Sequence, residues 1–172
     1  MAEGIDLVAV PRGIVLSEEA RFERLDRALP QIRAALAGET DEVAIESTLA
    51  CLLFQTFAQA SWVGFYRKTS ESTLTVGPYQ GPMGCLRIDF ARGVCGACAR
   101  TREVQLVPDV EAFPGHIACD GATKSELVVP VVAGGELVAV LDLDSHALDA
   151  FSRAEAERLV ALVGEVFTSV SH

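Results

Sequence analysis

The chain has 172 residues, half of them hydrophobic and 22% charged, proportions that suit one globular domain burying about two-thirds of its unfolded surface. Fourteen Lys and Arg against 24 Asp and Glu give a formal charge of −10, and without a basic cluster this excludes nucleic acid and other phosphate-backbone partners. The opening "MAEG" is acidic where a secretory signal would be basic, so the cytoplasm is the expected location.

The first sixteen residues, "MAEGIDLVAVPRGIVL", are apolar without a clean period and predict no element. From Ser17, a candidate N-cap, Phe22, Leu25, Leu29, Ile32 and Leu36 recur at helical spacing over residues 17 to 37. Pro30 should kink or divide that helix. Its stripe suits either packing on a sheet or pairing with a second copy, so a homodimer is one expectation. A second helix follows Thr40 and Asp41, with Ile45, Leu49, Leu52, Leu53 and Phe57 on one side. Ser47 to Tyr66 carries no formal charge over a length able to cross a bilayer. Gln55, Gln59 and four hydroxyl side chains make it too polar for that, so it reads as a buried helix leading into a core strand, with no membrane partner.

From Trp62 the period changes to two. "WVGFY", "LTVGPY" and "LRIDF" read as strands; "ARGVCGACARTRE" as a short helix entered through Gly93; "VQLVPDV", "ELVVPVV" and "LVAVLDLDS" as strands again. Gly134 and Gly135 suit a two-residue hairpin turn. The last helix opens on the capping box "SRAE", Ser152 to Glu155, and presents Leu159, Leu162, Val163, Val166 and Val170. The sum is a single α+β domain whose main body spans residues 17–172. Its terminal helices cover one face of a mostly antiparallel sheet, leaving the other face for a ligand.

Strand alternation places Asp142 and Asp144 on one face, where crowded carboxyls raise each other's pKa or bind an ammonium group. The alternative is a strand end emerging into solvent. Alternation also places Trp62 and Tyr66 on one face with Gly64 between them, which leaves room for an aromatic-walled pocket or simply fills a core. Of five cysteines, Cys51 sits in an apolar helix and reads as inert. Cys95, Cys98, His116 and Cys119 form C-x-x-C and H-x-x-C pairs, four candidate ligands of a zinc site. Cys85, Cys95 and Cys119 instead suit redox chemistry, and Cys95 lies where a helix N-terminus stabilises a thiolate. Three convergent thiols beside strand acids suggest attack on an electrophilic sulfur followed by disulfide resolution.

"WVGFY", "GPYQG", "CLRIDFARGVCG", "QLVPDVEAFPGHIACD", "SELVVPV" and "LDLDS" together resemble the GAF-domain free methionine-(R)-sulfoxide reductases from about residue 41 to the C-terminus. The resemblance implies a GAF fold and thiol-dependent reduction of free methionine (R)-sulfoxide, with a thioredoxin-type reductant and neither metal nor cofactor. By position, Cys119 is similar to the attacking cysteine, Cys85 to the one that resolves its sulfenic acid as a disulfide, and Cys95 to a third cysteine. Glu126 and Asp144 match acids near the sulfoxide oxygen, Asp142 an acid for the substrate ammonium, and Trp62 and Tyr66 walls around the S-methyl group. His116 is then structural. Cys98 departs from the family pattern and reads as a competing thiol or a small core residue. The alternative function is a non-catalytic GAF sensor of a small molecule or of redox state.

Overall fold

A computed structural model describes residues 5–117 and 119–168. Val170, expected on the last helix, lies outside them. The elements in chain order are α1 (Glu18–Ala35), α2 (Glu42–Thr56), β1 (Trp62–Lys68), β2 (Thr73–Gln80), β3 (Arg87–Asp89), α3 (Gly93–Thr101), β4 (Gln105–Val107), a 3₁₀ turn (Val110–Ala112), β5 (Ser125–Ala133), β6 (Glu136–Ser145) and α4 (Arg153–Phe167). The strands form one six-stranded sheet in the order β3-β2-β1-β6-β5-β4, antiparallel at every pairing.

Alternation along the central strands builds the two faces. Val63, Phe65, Leu127, Val129, Val131, Ala139, Leu141 and Leu143 point to one side and pack with the apolar stripes of α1, α2 and α4 in the main core. α2 lies over β1 and β2, α4 over β5, and α1 packs against both helices. The stripe Leu25, Leu29, Ile32 and Leu36 is buried within the chain, so it offers no face to a second copy. α1 runs undivided through Pro30. That residue sits on the exposed side of the helix, where water reaches the carbonyl left without its usual donor.

Capping residues act where the sequence places them. The side chains of Ser17 and Asp41 accept backbone N–H groups at the starts of α1 and α2, and Ser152 and Glu155 complete a capping box at α4. Gly134 and Gly135 join β5 to β6 with φ of 58° and 84°, the backbone of a two-residue turn that L side chains resist. No helix among the described residues is long and apolar enough to cross a membrane.

The aperiodic N-terminal segment is held by side chains instead of a ladder. Arg12 donates to the carbonyls of Phe54 and Phe57 at 2.6 and 2.8 Å. Arg24 donates to Thr56 and Gln55 at 2.7 and 2.8 Å, and to Val8 at 2.6 Å. Two guanidinium groups thereby satisfy carbonyls at the C-terminal end of α2, where positive charge is favoured.

Candidate active site

On the sheet face opposite the main core, the register of three strands converges. Trp62 stands opposite Asp144 and Gly64 opposite Asp142 in the β1–β6 ladder, while Glu126 stands opposite Asp144 in the β5–β6 ladder. The acidic pair and the aromatic pair therefore share one face. α3 covers part of it through β5 and β6, and Pro82, Met83 and Gly84 on one loop and His116, Ile117, Cys119, Asp120 and Thr123 on another line the rest. Between them lies a pocket of about 540 Å³, its open mouth included, lined by Trp62, Tyr66, Cys95, His116, Cys119, Asp120, Glu126, Asp142 and Asp144 among others.

Trp62 is sandwiched between two rings, 5.5 Å from Tyr66 and 5.2 Å from Tyr79, nearly parallel to both at 20° and 18°. Its indole N–H donates to the carbonyl of Pro82 at 3.1 Å, tying the wall to the loop that carries Cys85. The room expected over Gly64 does not exist. A Cβ there would come within 2.7 Å of the Trp62 ring and 2.8 Å of Tyr79 Cα, so the glycine lets the stack close and the pocket opens beside it. Tyr79 was missed because its neighbour across the ladder is a glycine, and its role depends on β1–β2 register.

Cys85 and Cys119 are joined in a disulfide, with their Cα atoms 5.2 Å apart. The Cys119 loop is fastened on both sides. Gly93 N–H donates to Gly115 O at 3.0 Å, and Asp120 Oδ2 meets His146 Nε2 at 2.8 Å. The proposed four-ligand zinc set is not assembled, because Cys119 is bonded to Cys85 and Cys98, fully buried, donates to Val128 O at 3.8 Å. His116 lines the pocket with Nδ1 unpartnered, and burial lowers its pKa. Cys51 is only half-buried, and accepts the Gln55 amide at 3.3 Å.

Against this geometry the comparisons are specific. The GAF-domain family model matches residues 40–168. The chain is similar to the free methionine-R-sulfoxide reductase of Escherichia coli K12, 39% identical over 133 residues, 77% of this chain and 80% of that one. It is 38% identical over 147 residues to the enzyme of the same name from Saccharomyces cerevisiae, 81% and 82% of the two chains. The solved structure of free methionine-R-sulfoxide reductase from Neisseria meningitidis in complex with its substrate superposes with a TM-score of 0.82 at 36% identity, covering 93% of this chain and 95% of that one. The chain belongs to the GAF-domain free methionine-(R)-sulfoxide reductases. It is thus an oxidoreductase, and the expected GAF fold is the one observed.

In this reductase the pocket acids and Cys95 are electrostatically bound together. Cys95 is the third residue of α3 and buried; its Sγ donates to Glu126 Oε1 at 3.7 Å. Glu126 and Asp142 are 6% and 4% exposed, and the hydrogen-bonding neighbours of Asp142 are Cys95 and Glu126, so its Oδ1 meets a donor only where one of these acids keeps its proton. Asp142 is therefore no solvated strand end. Burial pushes Glu126 well above the usual carboxylate range, and Asp142 and Asp144 push it further. Burial raises Asp142 to about 7 and raises Asp144 too, with help from Asp142 and Asp120. Crowded buried carboxyls cannot all ionise, so the site retains protons near neutral pH. The same forces overturn the expectation of a Cys95 thiolate. Burial, then Asp142, Glu126 and Asp144, raise its pKa, and desolvation outweighs the helix N-terminus.

Proposed function

We propose that this chain reduces free L-methionine (R)-sulfoxide to methionine through a cysteine sulfenic acid and an intramolecular disulfide. The observation that carries the reading is the Cys85–Cys119 disulfide beside a pocket in which Cys119, Glu126, Asp142, Asp144 and the Trp62–Tyr66 wall converge. With both thiols reduced, the Cys119 thiolate attacks the sulfoxide sulfur while Glu126 or Asp144 donates a proton to its oxygen. The oxygen passes to the Cys119 sulfur as the S–O bond and the transient bond between the two sulfurs break, so Cys119 is oxidised by two electrons to a sulfenic acid and methionine leaves reduced by two. The Cys85 thiol then attacks the sulfenic sulfur, water departs, and the disulfide forms. A dithiol of the thioredoxin type returns the two electrons.

The acids divide this work by environment. Glu126 and Asp144 keep a proton for the departing oxygen, the requirement for a general acid at neutral pH. Asp142, with a pKa of about 7, ionises when a substrate ammonium reaches it, and so favours a free amino acid over a methionine residue within a peptide. Trp62 and Tyr66 supply the apolar wall for the S-methyl group, and Cys95 orients Glu126 through its thiol.

The test is consumption of free methionine (R)-sulfoxide and its S epimer with a dithiol reductant, comparing wild type with Cys119→Ser. R-selective turnover lost in the variant is the expected result. Turnover intact in Cys119→Ser would remove Cys119 as nucleophile, and no turnover of either epimer by folded, reduced protein would favour a non-catalytic sensor.

A further inference from the structure

We propose that Cys95, Glu126 and Asp142 form a site for a thiophilic divalent cation of the Zn²⁺ type on the sheet face of the pocket. One ligand atom from each, all three side chains buried, lies within 4.8 Å of the other two. A tetrahedral zinc ion with ordinary Zn–S and Zn–O bonds sets a sulfur and an oxygen ligand about 3.6 Å apart. Cys95 Sγ and Glu126 Oε1 are separated by 3.7 Å. The cluster therefore already has one edge of the required tetrahedron.

A second, independent observation points to a missing positive partner. Asp142 is 4% exposed, and its hydrogen-bonding neighbours are Cys95 and Glu126, both acids themselves, so Oδ1 meets a donor only where one of them keeps its proton; among the described residues no positive group balances the cluster. The three ligands come from α3, β5 and β6, elements locked together by the sheet and the helix packed on it, so little ordering accompanies binding. An entering ion displaces the protons these groups retain, and one thiolate with two carboxylates then selects against Mg²⁺ and Ca²⁺, which take all-oxygen shells of six or more ligands. Three protein ligands leave a fourth position toward the pocket for water. The set differs from the C-x-x-C and H-x-x-C pairing visible in the sequence, and Cys95 is the one residue the two share with a metal-facing thiol.

An ion held there engages Glu126 and Asp142, so it excludes the sulfoxide. That consequence rests on the reductase reading; the binding itself does not. The test uses the oxidised chain after chelator treatment, in which Cys85 and Cys119 are joined and the remaining thiols are Cys51, Cys95 and Cys98. Titration with Co²⁺ is expected to give one equivalent bound, with a thiolate-to-cobalt charge-transfer band that Zn²⁺ displaces. Cys95→Ala should abolish the band and Cys51→Ala should leave it. Asp142→Asn, which keeps every thiol, should weaken binding by more than the roughly tenfold that loss of an outer-shell partner costs. No band at stoichiometric Co²⁺, a band that persists in folded Cys95→Ala, or undiminished affinity in Asp142→Asn would overturn the site. Excess free methionine (R)-sulfoxide should then displace Co²⁺, with the S epimer as the control for chelation in solution. Binding that meets the first criteria but ignores the R epimer would leave the metal site standing and overturn the placement of substrate.

Discussion

Glu126 stands directly opposite Asp144 across one rung of the β5–β6 ladder, so two carboxyls meet where side chains are about 5 Å apart at Cβ. Both are held above the usual carboxylate range, the condition for one of them to donate a proton at neutral pH. Glu126→Gln should lower kcat by roughly 10²–10⁴-fold, the range for loss of a general acid, with a smaller effect on KM. Steady-state kinetics of free methionine (R)-sulfoxide reduction checks this, and unchanged kcat would transfer the proton to Asp144.

Asp142 gives a pH dependence of known sign. Its pKa is raised to about 7, so the ionised form that an ammonium group needs prevails only above that value. On this account kcat/KM falls about tenfold per pH unit as pH drops below about 7. Asp142→Asn should flatten that limb while raising KM at pH 8.

Cys85→Ser should separate the two proposed chemical steps. The variant should release about one equivalent of methionine per chain and stop, leaving a sulfenic acid on Cys119 that a carbon nucleophile traps and mass spectrometry locates. Sustained turnover at the wild-type rate would show that another thiol, Cys95 or Cys98, resolves the intermediate.

Gly64→Ala puts a methyl group between Trp62 and Tyr79 where the backbone and ring leave no space. Overpacking of this kind costs about 1–3 kcal/mol. Denaturant unfolding should show that loss, together with a shifted Trp62 emission as the stack opens.

Glu46 on α2 is fully buried, its carboxyl oxygens without hydrogen-bond partners and Arg67 Nε 3.7 Å away. Burial raises its pKa from 4.5 to about 8 against the opposing pull of Arg67, with Glu42 adding to the rise. The folded state therefore binds a proton that the unfolded state has released. Stability is full below about 4.5 and falls as pH rises toward about 8, by up to about 1.4 kcal/mol per pH unit. Unfolding of Glu46→Gln should show a shallower slope, with Glu126, Asp142 and Asp144 supplying what remains, and should exceed wild-type stability at pH 8.

Much of this architecture is written in local patterns. Period-two runs gave the strands, the glycine pair gave the β5–β6 turn, and capping residues gave the helix starts, because each depends on neighbours within a few positions. Alternation likewise paired Asp142 with Asp144 and Trp62 with Tyr66. That both pairs line the same face was not legible, since it depends on β1–β6 register, a contact between distant segments. The state of Cys95 was misjudged for a related reason: a helix N-terminus is visible in sequence, but the burial and the carboxyls from β5 and β6 that oppose it are not. The N-terminal segment had no period to read because Arg12 and Arg24 hold it through carbonyls.

Between Cys85 and Cys119 lie β3, α3, β4 and the 3₁₀ turn, so their bond closes a loop spanning a sequence separation of 34. Such closure restricts the unfolded ensemble by about 3–4 kcal/mol on the chain-entropy account. The proposed catalytic cycle would then also be a cycle of resistance to unfolding, firmest just after methionine leaves and slackest once the reductant has acted. A melting curve of this protein would read out its redox history, and a cell short of reductant would accumulate it in the form hardest to unfold.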